Sequence, residues 1–379
     1  MSERAQSPAP AARGEKRALF ALVAILIGFL VPLVLAEFAL RFLQVVGSGL
    51  GPQSVNEASP YYHFEPNQSY YYSNRGITNR GHVNNYGFVN DADYDPEDDS
   101  PLLAVIGDSY VEAQIVPFRQ TIMGRLAERV GPSGRVYSFG ASGAPLSQYL
   151  AWAEFAREKF QPAMLAFVVV GNDFDGCFYE TNRIRGFHYF EERADGTLEL
   201  NRVDFHRSWM RDVARASALI RYVIGKLGLV GRHPRPAAGE EAPRRSYVGN
   251  VRAQYDEAMV ELSGRVIDVF LRMLPEKSGL PPHRTVILID GIRPLLYEGP
   301  EVLAEAENAY FARMRRELLA KARSRGYEVI DLQPRFLERH QATGLRFEFE
   351  RDNHWSGAGH EVAAEAVAGS RAFRSVFGG

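Results

Sequence analysis

Short apolar runs alternate with amphipathic stretches over most of the chain. Leu102–Ile106 is apolar throughout, and helical spacing follows from about Pro117 through Phe118, Ile122, Leu126 and Val130. The pattern then repeats. Val136–Phe139 leads into a predicted helix near 146–160, and Met164–Val170 ends in Gly171-Asn172-Asp173. After a long interval come Thr285–Asp290, a predicted helix from Glu301 to Arg325, Tyr327–Asp331 and a last helix from Gly357 to Ala368. Continuous rather than alternating apolar runs fit strands buried on both faces. Strands alternating with helices imply right-handed crossovers. The predicted fold class is α/β: a three-layer α/β/α sandwich around a five-stranded parallel sheet.

Residues 174–282 interrupt this rhythm and read as an insertion on the rim of one domain. Within it, Phe187–Leu200 predicts a hairpin turning at Asp195-Gly196, 207–228 and Val251–Leu274 read as helices, and Gly231–Arg245 reads as a mobile loop. Residues 41–100 form a polar, aromatic lead-in. Its tyrosines, Tyr61-Tyr62 and Tyr70-Tyr71-Tyr72, suit packing against the domain better than a membrane interface, and Asn84-Asn85-Tyr86-Gly87 predicts a turn before Phe88-Val89.

The N-terminus changes the picture most. Residues 1–17 are small, polar and basic (Arg4, Arg13, Lys16, Arg17), and Ala18–Ala36 carries no charge. At 1.5 Å per residue that run nearly spans a bilayer core. Its length, and the apolar continuation through Phe38, Ala39, Leu40 and Phe42, favour an uncleaved anchor over a signal peptide cut at Ala36. The anchor is placed at 18–40, with residues 1–17 cytoplasmic and 101–379, the main domain, exported.

The 379 residues, 46% hydrophobic and 24% charged, suffice for a large core, and a net charge of -2 gives no surface for nucleic acid. The single cysteine, Cys177, excludes an internal disulfide and reads as a space-filler. Neither Cys/His zinc spacing nor a Gly-x-x-x-x-Gly-Lys phosphate loop occurs.

Four blocks fall at the carboxyl edge of the predicted sheet, where α/β folds place ligands. Gly107-Asp108-Ser109 offers a nucleophile. Ser138-Phe139-Gly140-Ala141-Ser142-Gly143 offers backbone that can approach a bound group closely. Gly171-Asn172-Asp173 offers a carboxamide donor for a developing oxyanion. Asp352-Asn353-His354-Trp355-Ser356 offers a base with a carboxylate two residues away to hold its tautomer. Each block alone also fits an ordinary turn or helix cap.

Together and in this order they resemble the SGNH (GDSL-like) hydrolase superfamily. The resemblance covers about 102–175 and 285–370 and implies an SGNH/flavodoxin-like sandwich. It also implies Ser109 as nucleophile, His354 as base and Asp352 as its orienting acid. The implied oxyanion hole is Ser109, Gly143 (Gly140 as fallback) and Asn172. There are two departures. Many members carry the aspartate three residues before the histidine, whereas Asp-x-His-Trp resembles exported proteins that add or remove acetyl groups on polysaccharides. Ser138 stands where the family often has Asn. The elbow Gly-x-Ser-x-Gly is not matched, because Val111 occupies its last position. Asp173, Tyr110 and Trp355 are possible pocket residues that are left out of the catalytic set.

The resemblance implies a serine esterase that needs no metal or organic cofactor and acts on O-acyl groups of exported or envelope glycans. An O-acetyltransferase using the same first half-reaction is the alternative. A non-catalytic glycan-binding scaffold is the reading from another class. The expected setting is the bacterial inner membrane with the main domain on the periplasmic side, beside polysaccharide-export proteins.

Overall fold

The structure is a computed structural model and describes residues 10–226, 247–293 and 295–378. It divides into two units: residues 49–208 with 235–379, and residues 1–48 with 209–234. The stretch Gly231–Arg245, expected to be a loop, and residues 1–9 lie outside the described residues.

The larger unit is built on a parallel sheet of five strands. These are β1 (Leu102–Gly107), β2 (Arg135–Gly140), β3 (Met164–Val169), β4 (Thr285–Ile289) and β5 (Glu328–Asp331). Their spatial order is β5-β4-β3-β1-β2, so the chain reverses direction across the sheet beside β1. Side chains alternate as the pleat requires. Ala104, Ile106, Phe139, Phe167 and Ile287 enter one buried core, while Leu103, Val105, Val136, Val168 and Leu288 enter the other. All six residues of β1 and of β3 are buried, which is why their sequences read as unbroken apolar runs.

Helices α1 (Ile122–Val130), α2 (Leu146–Phe160), α3 (Glu257–Ser278), α4 (Tyr310–Ser324), α5 (Leu332–Thr343) and α6 (Gly357–Ala368) cover the sheet. On one face α2 packs on α3 and α3 on α4; on the other α6 packs on α1 and α5. Several expected boundaries move, for local reasons. The helix expected from Pro117 opens as a single 3-10 turn, Phe118–Gln120, and α1 proper starts after Thr121, whose hydroxyl accepts from the Gly124 N–H. The helix expected over 301–325 is two, Pro300–Ala306 and α4. Ala309 between them is extended, and the Tyr310 N–H leaves the helix ladder for the Ala253 carbonyl. The helix expected from Val251 begins at Glu257 instead, capped by Asp256, because Val251-Arg252 pairs with Tyr247-Val248 as a short ribbon. The hairpin in the insertion pairs His188–Glu192 with Leu198–Arg202. The lead-in carries a hairpin of its own, Gln68–Asn74 against Ile77–Val83, turning at Arg75-Gly76 with both residues at positive φ. Tyr62 and Tyr70 are buried in the core, the packing role expected of the lead-in tyrosines.

In the smaller unit a helix runs from Pro10 to Phe42. Its part Lys16–Phe42 is long and apolar enough to cross a membrane. The stretch expected as one helix over 207–228 is broken. Trp209–Ala216 and Ala218–Arg221 are separate because Ser217 is extended and caps the second through the Ile220 N–H.

Candidate active site

β1 runs out at Gly107, and Asp108 turns the chain into a single helical turn, Ser109–Glu112. Its carboxylate accepts from the Tyr110 N–H at 2.9 Å, capping that turn. Ser109 therefore stands at the carboxyl end of the sheet, beside the Gly107–Gly140 pair of β1 and β2. The His354 block arrives from a strand, Asp352–Trp355, paired with Glu348–Phe349, and is not the bare helix entry that the sequence suggested. His354 Nε2 lies 2.7 Å from Ser109 Oγ across a sequence separation of 245. His354 Nδ1 is hydrogen-bonded to Asp352 Oδ1, which also accepts from the His354 N–H at 3.0 Å. Burial pushes the Asp352 carboxyl up, but the hydrogen bonds and charge of His354, with Arg75, outweigh it and hold the group below its usual range. An ionised Asp352 fixes the tautomer that carries its proton on Nδ1, and Nε2 is then free to accept from Ser109.

Ser109 Oγ also lies 3.1 Å from Asp108 Oδ2. Burial raises Asp108, against hydrogen bonds from the Tyr110 N–H, Ser109 and Asn172 and the charge of His354. Asn172 opens the short helix Asn172–Asp175 after β3, and its carboxamide meets the Asp108 carboxylate. The nucleophile, base, acid and carboxamide singled out in the sequence thus gather at one sheet edge.

The glycine block is held from two sides. Ser142 donates through both its N–H and its hydroxyl to Glu112, from the turn that carries Ser109. The Gly143 carbonyl accepts from Asn182 Nδ2 at 2.8 Å. Gly143 has φ +78, and a Cβ there would come 3.0 Å from Ile184 Cδ1. Left-handed backbone against the insertion explains a glycine at this position. Gly140, the fallback, has a packing role instead: a Cβ on it would lie 2.7 Å from the Glu112 nitrogen.

Further residues hold the site, and the sequence did not single them out. Arg75, at the tip of the lead-in hairpin, donates to Asp352 Oδ2 and to the Arg351 carbonyl, each at 3.2 Å. Buried Asn79 ties that hairpin to the loop after Ser109 by donating to the carbonyls of Gln114 and Val116. Asn250, itself at positive φ, donates to Tyr110 Oη at 2.7 Å, and Tyr110 passes the bond to the Asn353 carbonyl at 2.8 Å. Gly171 leaves room for this ribbon, since a Cβ there would sit 2.0 Å from the Gly249 carbonyl. Beneath the base, buried Asp290 accepts from Arg293 and from Trp355 Nε1 at 3.0 Å, and Arg293 Nη1 reaches Glu348 at 3.2 Å and the Asn353 carbonyl at 3.4 Å. The Asp-x-x-Arg spacing after β4 was the readable signal for this network. Arg75, Asn182 and Asn250 left none beyond turn-forming neighbours.

Asp173, Tyr110 and Trp355 are all buried. Asp173 accepts from Tyr149 Oη and the Val170 N–H, and burial pushes its carboxyl well up. Cys177 is buried with its thiol pushed up to about 12 by burial, as a space-filler would be.

No protein-family model and no curated protein sequence matches the chain. Solved structures do. One is a two-domain esterase active on acetylated mannans (TM-score 0.38, 10% identity, 74% of this chain), of which the chain spans half the length, 50%. Another is a putative GDSL-like lipase from Parabacteroides merdae (TM-score 0.38, 13% identity, 74% of this chain and 96% of that one). A third is an acetyl xylan esterase (TM-score 0.34, 12% identity, 70% and 97%).

Proposed function

We propose that the protein is a membrane-anchored serine esterase of SGNH type that cleaves O-acyl groups from exported or envelope glycans. The observation that carries this reading is the relay Asp352–His354–Ser109, with His354 Nε2 2.7 Å from Ser109 Oγ. In the first step His354 Nε2 takes the Ser109 proton as Oγ attacks the ester carbonyl. The carbonyl π electrons move onto its oxygen. The N–H groups of Ser109 and Gly143 and the Asn172 carboxamide are the donors assigned to that oxyanion. Collapse expels the sugar oxygen, which takes the proton from His354 and leaves acyl-Ser109. Water, deprotonated by His354, then attacks the acyl carbon and releases the carboxylic acid and free Ser109. Ionised Asp352 offsets the imidazolium charge in both halves.

In this arrangement residues 1–17 lie in the cytoplasm, 18–40 anchor the chain in a bacterial inner membrane, and 41–100 lead to the catalytic domain 101–379 on the periplasmic side. The insertion 174–282, through Asn182 and Asn250, shapes the acyl site. The test is p-nitrophenyl acetate turnover by the full chain in detergent, for the parent and Ser109→Ala, with and without an acetyl-accepting polysaccharide. A burst that disappears in Ser109→Ala establishes the acyl-enzyme. Release that accelerates with the polysaccharide, and acetylates it, makes the protein a transferase. No burst, with parent and variant alike, sinks the catalytic reading in favour of glycan binding.

A further inference from the structure

The smaller unit carries a second apolar surface besides its long helix. At 100° per residue, Trp209, Met210 and Val213 of the helix Trp209–Ala216 share a sector of about 100°. They are 74%, 63% and 56% exposed. Arg211, Asp212 and Arg215 occupy the other side of that helix. This is the distribution of a helix that lies in a membrane interface, with an aromatic ring at headgroup depth.

Where this helix sits along the membrane-spanning segment is given by hydrogen bonds. Glu37 is the first charged residue after the apolar run Ala18–Ala36, so it marks the end of the hydrocarbon layer. Its carboxylate accepts from Ser217 Oγ at 2.9 Å, the Ala218 N–H at 2.9 Å and the Leu219 N–H at 2.7 Å. Four residues on, Arg41 donates to the Ala216 carbonyl. Residues 216–219 are thereby docked at the boundary between apolar run and water. Phe38, Phe42 and Leu43 are exposed as well, so the apolar surface continues past Glu37.

We propose that Trp209, Met210 and Val213 insert into the headgroup–acyl boundary of the bilayer that the N-terminal helix spans. The insertion then returns the chain to the membrane, and the protein holds the bilayer at two points separated by more than 160 residues of sequence. This rests on the anchored reading above. Glu37 is a positioning residue here: it replaces water on backbone N–H groups that would otherwise be costly to bring to a lipid surface.

Trp209 makes the test direct, because Trp152 and Trp355 are fully buried. The full chain is reconstituted into vesicles of phosphatidylcholine and phosphatidylglycerol, with and without phosphatidylcholine brominated near the headgroup end of its acyl chains. The Trp209 signal is the emission difference between parent and Trp209→Phe. Brominated lipid should lower that difference roughly two-fold or more, as expected at interfacial depth, and aqueous acrylamide should have little effect. Val213→Asp should restore most of the signal and leave p-nitrophenyl acetate turnover unchanged. If the chain resists alkaline extraction from the vesicles while Trp209 is untouched by brominated lipid, the inference fails and the anchor stands. It fails equally whether water, a second copy or another segment covers the ring. If alkali strips the chain from the vesicles, the anchored reading fails and this inference goes with it.

Discussion

Two groups of residues reach the Ser109–His354 site by different routes. Ser109 and Asn172 follow the ends of β1 and β3, and His354 belongs to a paired strand seated on the buried Asp290–Arg293–Glu348 network. Moving any of them means breaking a sheet ladder or opening a core. Arg75, Asn182 and Asn250 arrive from a hairpin tip, a short helix and a two-residue turn, each tied in by one or two side-chain hydrogen bonds. The first group forms the proposed relay. The second steadies them, and does so from segments that can change without disturbing the sheet. The difference implies that substitutions in the first group abolish chemistry or folding, while those in the second grade it.

The largest effect should come from Ser109→Ala, with turnover falling by about 10^4- to 10^6-fold and no acyl-enzyme trapped by mass spectrometry. Asp352→Asn keeps the hydrogen-bond geometry but presents the wrong tautomer to Ser109. It should cost about 10^3- to 10^4-fold in kcat with an unchanged melting temperature. Arg293→Leu tests the buried support. It strands Asp290 and Glu348 without their cation, and should cost about 3–5 kcal/mol in denaturant unfolding. Retained stability would place His354 outside the control of that network.

The second group should give smaller losses. Asn182→Ala releases the Gly143 carbonyl and lets the loop that carries the proposed oxyanion donor drift. Displaced donors cost up to about 100-fold in rate, with kcat falling more than KM rises. Arg75→Ala removes a positive charge beside the Asp352–His354 pair. That charge helps hold the Asp352 carboxyl below its usual range, so without it Asp352 protonates at higher pH and the acid limb of kcat/KM moves up. Arg75 is largely exposed, so the change should be only a few-fold, weaker in salt, and Arg75→Lys should restore the parent profile. Smallest of all is Asp173→Asn. Its carboxyl is raised in the folded protein, so unfolding releases a proton and stability falls as pH rises above the unfolded value near 3.9. Removing the charge should flatten that slope, by less than about 1.4 kcal/mol per pH unit, seen as a smaller loss of melting temperature between pH 4 and 7.

This division also decides what the sequence made legible. Buried parallel strands announce themselves because both faces need apolar side chains, and each strand end was readable to within a residue. Glycines and short polar residues after such strands are equally visible, so the four blocks could be found. Helix breaks were harder. Nothing apolar or polar changes at Ala309, and the chain bends there because Tyr310 finds a carbonyl on a distant segment. Arg75 and Asn250 were illegible for the same reason. A solvent-side arginine in a turn looks alike whether or not a carboxylate 277 residues away lies within its reach.

The crossover from β3 to β4 passes through the whole insertion, yet those two strands pair in regular register from Thr285–Leu165 to Ile289–Val169. Closing a longer connection costs only about 0.6 kcal/mol for each doubling of its length. The pairing of β3 with β4 is therefore nearly indifferent to how long the connection between them is. An exposed point of this crossover, such as the hairpin tip at Asp195-Gly196, can take added length at little cost to the sheet, with Asn172, Asn182 and Asn250 left in place.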